Sequence, residues 1–399
     1  PIAALFYGGV VLALIGVAAY VRRRRGDRPV ADPHAFALLA VMVMLLPGFL
    51  SADAPHFLRT IGIVPLVFVF PALALSWLID RWRWFAPLAA LLLMGEGAET
   101  GYRYFAQWAN DPRAYYAMQA DTAGVAAWLE QQQPPQVPIL FSSQYPGHPS
   151  VAYLAPDVFA KIRWFDGRAS LAFAPAGQPS LYVFTASYQP GFLDVASLFR
   201  PDQLLAEGRD PTGAVAYRVY RAASPPPLLP SKALRADLGG LARLNGFTAA
   251  AAVTAGQTLD VQEYWRTLRA GPPDLRAFAH LVDAQGNLWA QADSLGFYAE
   301  DWQPGDLALN YQHLPVPAYT PPLPLRLQFG LYSPSTGQRL PLRSAGGQPA
   351  GDELTLATVQ VQPATTPPDP SWHPSHTVNR AVAPGLTLIG YDLPLTSVR

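Results

Sequence analysis

The 399 residues carry 28 basic and 28 acidic side chains, no cysteine, and an apolar fraction of 50% against 14% charged. The balanced charge argues against a nucleic-acid partner, because no basic surplus exists to neutralise phosphates, and the lack of cysteine excludes a disulfide framework. The apolar excess is large for a soluble chain of this size and is concentrated in the first hundred residues.

Residues 2–21, 35–50 and 61–79 are almost free of charge. A bilayer core of about 30 Å takes about 20 helical residues, so the first and third runs predict spans and the second nearly reaches the length. A fourth run, residues 82–95, is shorter and begins with Arg83 among aromatics. Arg22, Arg23, Arg24, Arg25 and Arg28 follow the first run and mark a cytoplasmic end. Counting from there, the second run crosses outward, SADAPHFLRT (residues 51–60) lies outside, the third run returns, and the fourth leads out again. About four spans are therefore expected in residues 1–100. Tyr102, Tyr104, Phe105 and Trp108 would form an aromatic belt at the exit, and everything beyond would be extracytoplasmic. The chain starts at Pro1 without Met or a charged leader, so the first run reads as a span and an upstream portion of the protein is expected.

Residues 101–223 read as a small α/β domain. A helical stripe (Tyr115, Met118, Thr122, Val125, Leu129) predicts a helix over 115–133 that stops at Pro134-Pro135. Strand-like runs follow at 137–143, 180–186 and 214–220, with a helix expected between the last two. SPPPLLP (224–230) marks a boundary. The period then becomes two: LDVQEYW (259–265), AFAHLVD (277–283), LRLQFGLY (325–332) and LTLATVQVQ (354–362), separated by turn residues, predict an antiparallel β-sandwich over 232–363. After a second Pro-rich joint, LTLIGYD (386–392) echoes LARLNGFT (241–248), and residues 376–399 are read as the start of a second sandwich, cut short.

Chemical motifs are few. Among the seven histidines the only close pair, His373 and His376, lies in a Pro-rich linker with Asp369, so no metal site is read there. Ser142, Ser143, His148 and Asp157 lack a G-x-S-x-G elbow and read as a polar loop after a strand. No phosphate-binding glycine loop is present. His280, Asp283 and Trp302 are candidates for a sugar-binding face, against the commoner reading of such aromatics as core.

The arrangement of apolar runs around APHFLRTIG, followed by YRYFAQWANDPRAYY, resembles the C-terminal part of a membrane glycosyltransferase of the GT-C class, family 39 and its relatives, which include protein O-mannosyltransferases and aminoarabinose transferases. YW at 264–265, FAHLVDAQGN, DWQPGD and LQFGLYSPSTGQRLP resemble the domain appended in many bacterial members. The resemblance implies an inverting transferase in the plasma membrane that moves a sugar from a polyprenyl-phosphate donor to a glycan, lipid or protein acceptor, with no cofactor. It also implies a catalytic Asp in an upstream loop with no counterpart in this chain. The overall expectation is a multi-pass α-helical membrane region followed by a small α/β domain and an antiparallel β-sandwich. The competing expectation is a non-enzymatic, membrane-anchored sandwich that binds glycans or partners.

Within that reading SADAPHFLRT is the donor-phosphate site. A leaving phosphate needs a cation beside it, and Arg59, one residue before the third run, offers a guanidinium that can make two parallel bonds. His56 would donate another, and Asp53 would orient Arg59 or meet sugar hydroxyls. The competing role for Arg59 is an interfacial anchor that snorkels to headgroups.

Overall fold

The computed structural model describes residues 2–23, 32–50, 61–132, 137–224, 226–344, 347–364, 374–383 and 386–392. It divides into two units, residues 1–110 and 111–399.

The first unit is helical: α1 (Ile2–Arg23), α2 (Pro33–Phe49), α3 (Val64–Val67), α4 (Val69–Arg81) and α5 (Phe85–Tyr102), then a π-helical turn over Arg103–Gln107. Asp32 caps α2 by accepting from the His34 and Ala35 amides at 2.8 and 3.4 Å. Small residues on α1 let α4 approach closely: a Cβ on Gly9 would collide with the Phe70 carbonyl, and Gly8 lies against Ala74. Ala13 and Phe70 are buried in one cluster with Ala37 of α2.

This unit overturns the expected four-span region. Only two helices among the described residues, Ile2–Arg22 and Ile61–Arg81, are long and apolar enough to cross a membrane. α2 has 17 residues, about 25 Å of helix and so short of the hydrocarbon core. The helix from Phe85 runs on through Gly95 to Tyr102, and that second half carries Glu96 and Glu99, so its apolar stretch ends after about ten residues. The multi-pass count falls, and the assignment of sides that rested on it falls too. About 11% of the most apolar 18-residue window of each candidate span is buried among the described residues. Tyr102, Tyr104, Phe105 and Trp108 are exposed, and Tyr104 stacks on Trp108 at 5.0 Å.

The second unit begins with α6 (Pro112–Ala117) and α7 (Ala120–Gln131). The single helix expected over 115–133 is broken because Gln119 adopts φ 53°, a left-handed conformation that no α-helix continues through. The chain then forms β1 (Ile139–Ser142), α8 (Pro149–Leu154), α9 (Pro156–Phe159), β2 (Ile162–Phe165), β3 (Ser170–Phe173), β4 (Ser180–Thr185), β5 (Leu204–Arg209) and β6 (Val215–Ala222). The helix expected between the last two predicted runs is instead two 3₁₀ turns, Val195–Leu198 and Pro201–Gln203, and then β5. Sheet order is β2-β1-β4-β6-β5, with β2, β1 and β4 parallel and the other pairs antiparallel. Every residue of β1 and β4 is buried, which explains their unbroken apolar runs: a sheet covered on both faces has no polar phase. Ile139, Phe141 and Val183 face α7 with Val125 and Leu129.

β7 (Lys232–Leu238), β8 (Ala242–Ala249), β9 (Ala252–Thr254), β10 (Thr258–Thr267), β11 (Arg276–Val282), β12 (Leu288–Asp293), β13 (Leu307–Pro315), β14 (Pro324–Tyr332), β15 (Leu342–Ser344) and β16 (Leu354–Gln362) build two further sheets. Their orders are β15-β7-β8-β10-β13-β3 and β12-β11-β14-β16-β9. β3 comes from the α/β segment yet pairs with β13, Leu171 opposite Leu309. The core is correspondingly shared: Leu140, Tyr182 and Phe184 of the α/β sheet join Phe173, Trp265 and Phe329 in one buried cluster. SPPPLLP therefore links two sheets of one packed body. A last hairpin, β17 (His376–Ala383) and β18 (Leu386–Tyr391), forms its own two-stranded sheet.

Candidate functional site

Asp53, His56 and Arg59, the proposed donor-phosphate residues, lie outside the described residues. What the structure places around their segment is the end of α2 at Phe49 and the apolar helix Ile61–Arg81.

In the second unit the neighbours of β1, namely β2 and β4, lie on opposite sides of it. The crevice outside the carboxyl ends of β1 and β4 is therefore a topological switch point, where open α/β sheets place ligands. Ser142, Ser143 and His148 are gathered there, but not as a catalytic set. Ser142 Oγ donates to the Tyr188 carbonyl and accepts from the Gly167 amide at 3.1 Å. Gly167 is required at this point, since a Cβ would collide with both Tyr188 O and Ser142 Oγ. Ser143 Oγ accepts from the Tyr145 amide at 3.3 Å.

His148 is 2% exposed and is held away from both serines. Its Nδ1 accepts from the Ser150 amide at 3.2 Å, so the proton sits on Nε2, which donates to Gln119 Oε1 at 2.7 Å. Gln119 Nε2 in turn donates to the Tyr188 hydroxyl at 2.7 Å. Burial pushes the imidazole pKa down, against the pull of Asp121. A neutral histidine with both nitrogens committed is a structural tie between the loops after β1 and β4 and the break between α6 and α7. A nucleophile without a base is what remains, and Asp157 belongs to α9 without a bond to His148. The polar-loop reading stands. Sequence inspection missed this tie because Gln119 carries no motif; its left-handed backbone is the signal, and it is visible only in three dimensions.

The cation at the crevice is already paired. Arg168 bonds Asp166 with Nε at 3.0 Å and Nη2 at 2.7 Å and lies 5.2 Å from the Tyr188 ring centre. Asp121 is fully buried and satisfied by the Ser187 amide at 2.9 Å and the Thr122 amide at 2.8 Å, at the α7 N-terminus, where the helix dipole favours a carboxylate.

The candidate sugar face in the sandwich dissolves. Trp302 is 3% exposed and its indole N–H donates to the Phe297 carbonyl at 2.9 Å, so it is core. Asp283 closes its own turn, accepting from Gln285, Asn287 and Trp289, and the Asn287 amide chiefly holds its carboxyl at about 2. His280 lies against Phe278 and 3.9 Å from Asp293. No group of three or more metal-ligating side chains occurs among the described residues. His376 stacks on Tyr391 at 4.9 Å, while His373 and Asp369 lie outside the described residues.

One cavity is better formed. It measures about 300 Å³ and lies between the Pro-rich joint (Pro226, Leu228, Pro230) and the sandwich residues Phe173, Tyr264 and Leu309. Asn245 lines it from a bulge: Gly246 pairs with Tyr264 and Leu244 with Trp265, so Asn245 is the unpaired residue between them. Neither the bulge nor the cavity has a sequence signature. An apolar pocket with a single amide suits a mainly hydrocarbon or aromatic group with one polar atom.

No protein-family model and no curated protein matches the sequence.

Proposed function

We propose that this chain is part of a membrane glycosyltransferase that takes its sugar from a polyprenyl-phosphate donor. The observation that carries the reading is the placement of Asp53, His56 and Arg59 within ten residues directly ahead of a 21-residue apolar helix, Ile61–Arg81. A lipid-linked donor puts its chain in the bilayer and its phosphate at the surface. A guanidinium in the sequence just before an apolar helix meets that phosphate without crossing hydrocarbon. The acceptor is a glycan, lipid or protein.

The test is sugar transfer by the full-length membrane-embedded enzyme, which includes the upstream catalytic loop that the resemblance implies. Arg59→Lys should lose activity nearly as severely as Arg59→Ala, because an ammonium cannot reproduce two parallel bonds. The loss of a bond to a charged group is worth roughly 1.5–3 kcal/mol, about ten- to a hundredfold in rate. His56→Ala should cost less. Full activity of the Lys variant at unchanged membrane level would assign Arg59 to anchoring.

The cavity at Asn245 favours a second reading, a membrane-anchored binding module. Saturable quenching of tryptophan fluorescence by a short-chain polyprenyl phosphate, abolished in Asn245→Leu and unaffected in Arg59→Ala, would support it.

A further inference from the structure

Residues 230–248 and 374–392 build hairpins that share the register of their open ends. In the first, Lys232 lies opposite Phe247 and Ala233 opposite Gly246; the ladder then slips and Ala236 meets Leu244. In the second, His376 lies opposite Tyr391 and Thr377 opposite Gly390, and the ladder slips so that Arg380 meets Leu388; nearer the turn it slips once more, Ala383 meeting Leu386, which the first hairpin does not do. Each residue stands 144 positions after its counterpart, 376 against 232 and 390 against 246.

The contacts beyond the ladder repeat as well. The Ser231 amide donates to Thr248 Oγ1 at 2.9 Å, and the Ser375 amide to Asp392 Oδ1 at 2.7 Å. Ser231 Oγ donates to the Phe247 carbonyl and Ser375 Oγ to the Tyr391 carbonyl, each at 3.4 Å. A Cβ on Gly246 would collide with Pro230 and the Lys232 carbonyl, and one on Gly390 with Pro374 and the His376 carbonyl. Lys232 lies 5.5 Å from the Phe247 ring centre, and His376 stacks on Tyr391. Only Pro, Ser, Leu and Gly are identical between the two stretches (230/374, 231/375, 244/388, 246/390). A shared slip, a shared glycine clash and a shared serine clasp are constraints of one module, used twice.

Burial is where the copies part. Leu238 and Leu244 are fully buried and Phe247 is 2% exposed, because β15 pairs along β7, β10 pairs along β8, and the opposing sheet covers them. Their counterparts Val382, Leu388 and Tyr391 are 55%, 42% and 45% exposed, and among the described residues β17 and β18 pair only with each other. A two-stranded ribbon with an open apolar face is not stable alone, and its free edges are templates for another strand.

We infer that residues 374–392 are the opening hairpin of a second sandwich of the same kind, and that the open edge of β18 is the interface for that module's own counterpart of β10. The occupant is a strand of β10 pattern, apolar on alternate residues and antiparallel to β18, because β10 is what covers the matching edge of β8. This inference is independent of the transferase reading.

Two experiments on the full chain test it. In the first, residues 230–248 are replaced by the sequence of 374–392, with Arg380→Ala in the transplanted copy because Ala236 is buried at that position; a scrambled 19-residue stretch is the control. The transplant should keep one cooperative melt within roughly 10 °C of the parent, and the scrambled chain should not fold. In the second, residues 249–362 are appended after Asp392 as a donor of the missing strands, and amide exchange of β18 should slow by about a hundredfold or more. Success of either experiment supports the inference. A transplant no better than the scrambled control, together with unchanged exchange in β18, overturns it.

Discussion

Arg163 Nη1 lies 2.6 Å from Asp306 Oδ2, with the two side chains only 6% and 0% exposed. The pair ties β2 of the α/β sheet to the turn that leads into β13 of the sandwich. It is imperfectly satisfied: Arg163 Nε and Nη2 and Asp306 Oδ1 are buried without a hydrogen-bond partner. Burial raises the Asp306 pKa even against the neighbouring guanidinium.

Removing one partner leaves a buried, uncompensated charge. Arg163→Met or Asp306→Leu alone should therefore cost about 3–5 kcal/mol, while the double variant should return close to the parent or exceed it. Denaturant unfolding of all four proteins forms the cycle. Single variants costing under about 1 kcal/mol would mean that water reaches the pair.

A second buried carboxyl sits within the sandwich. Glu263 is fully buried and accepts from Asn310 Nδ2 at 2.9 Å and Gln312 Nε2 at 3.1 Å. Burial raises its pKa from 4.5 to about 8, so the native state binds a proton that the unfolded state releases. The sign follows from linkage: this contribution is fully present below about pH 4.5 and is lost as pH rises towards 8. At about 1.4 kcal/mol per unit, roughly 3–5 kcal/mol of stability should disappear across that window. Glu263→Gln should flatten the profile and be the more stable protein at pH 9. Parallel pH profiles for the two proteins would show that Glu263 does not titrate there.

Asp121 joins the first turn of α7 to the segment after β4 through the Ser187 amide. Asp121→Ala should cost roughly 1.5–3 kcal/mol, and amide exchange should rise first over 186–189. Asp121→Asn keeps an acceptor and loses the charge at the helix N-terminus, so it should cost less. Equal losses for Ala and Asn would assign the effect to charge alone.

Excision of residues 232–363 removes β3 from the edge of β13 and halves the cluster that contains Tyr182, Phe184 and Trp265. That fragment should aggregate or associate through the bared edge, whereas residues 111–364 should be monomeric with one cooperative melt. Light scattering and calorimetry of both decide the matter. A monomeric, cooperatively folded 232–363 would show that β3 is dispensable.

Residue pattern alone located seven of the 18 strands among the described residues, because burial of one or both faces writes itself into the residues of the strand. The runs LDVQEYW and LTLATVQVQ fall on β10 and β16, and the unbroken run SLYVFTA on β4. Apolarity alone also marked the first and third runs, since a helix facing lipid needs only its own residues to say so. Membrane crossing by the second and fourth runs was not settled that way. It depends on where α2 and α5 begin and end, and the helix from Phe85 runs on into residues that carry Glu96 and Glu99.

β3 shows the other limit. SLAF is four residues long, too short for a period, and it is a strand only because β13, far along the chain, offers it an edge. The two sheets share a core for the same reason. Glu263 combines both cases. It occupies the apolar phase of its strand, with Leu259, Val261 and Trp265, so its burial is legible from alternation. Its tolerance there is not, because Asn310 and Gln312 reach it only through the pairing of β10 with β13. Local pattern determines which side of a strand is buried; long-range register decides which partner meets a buried polar group, and that partner sets the group's charge.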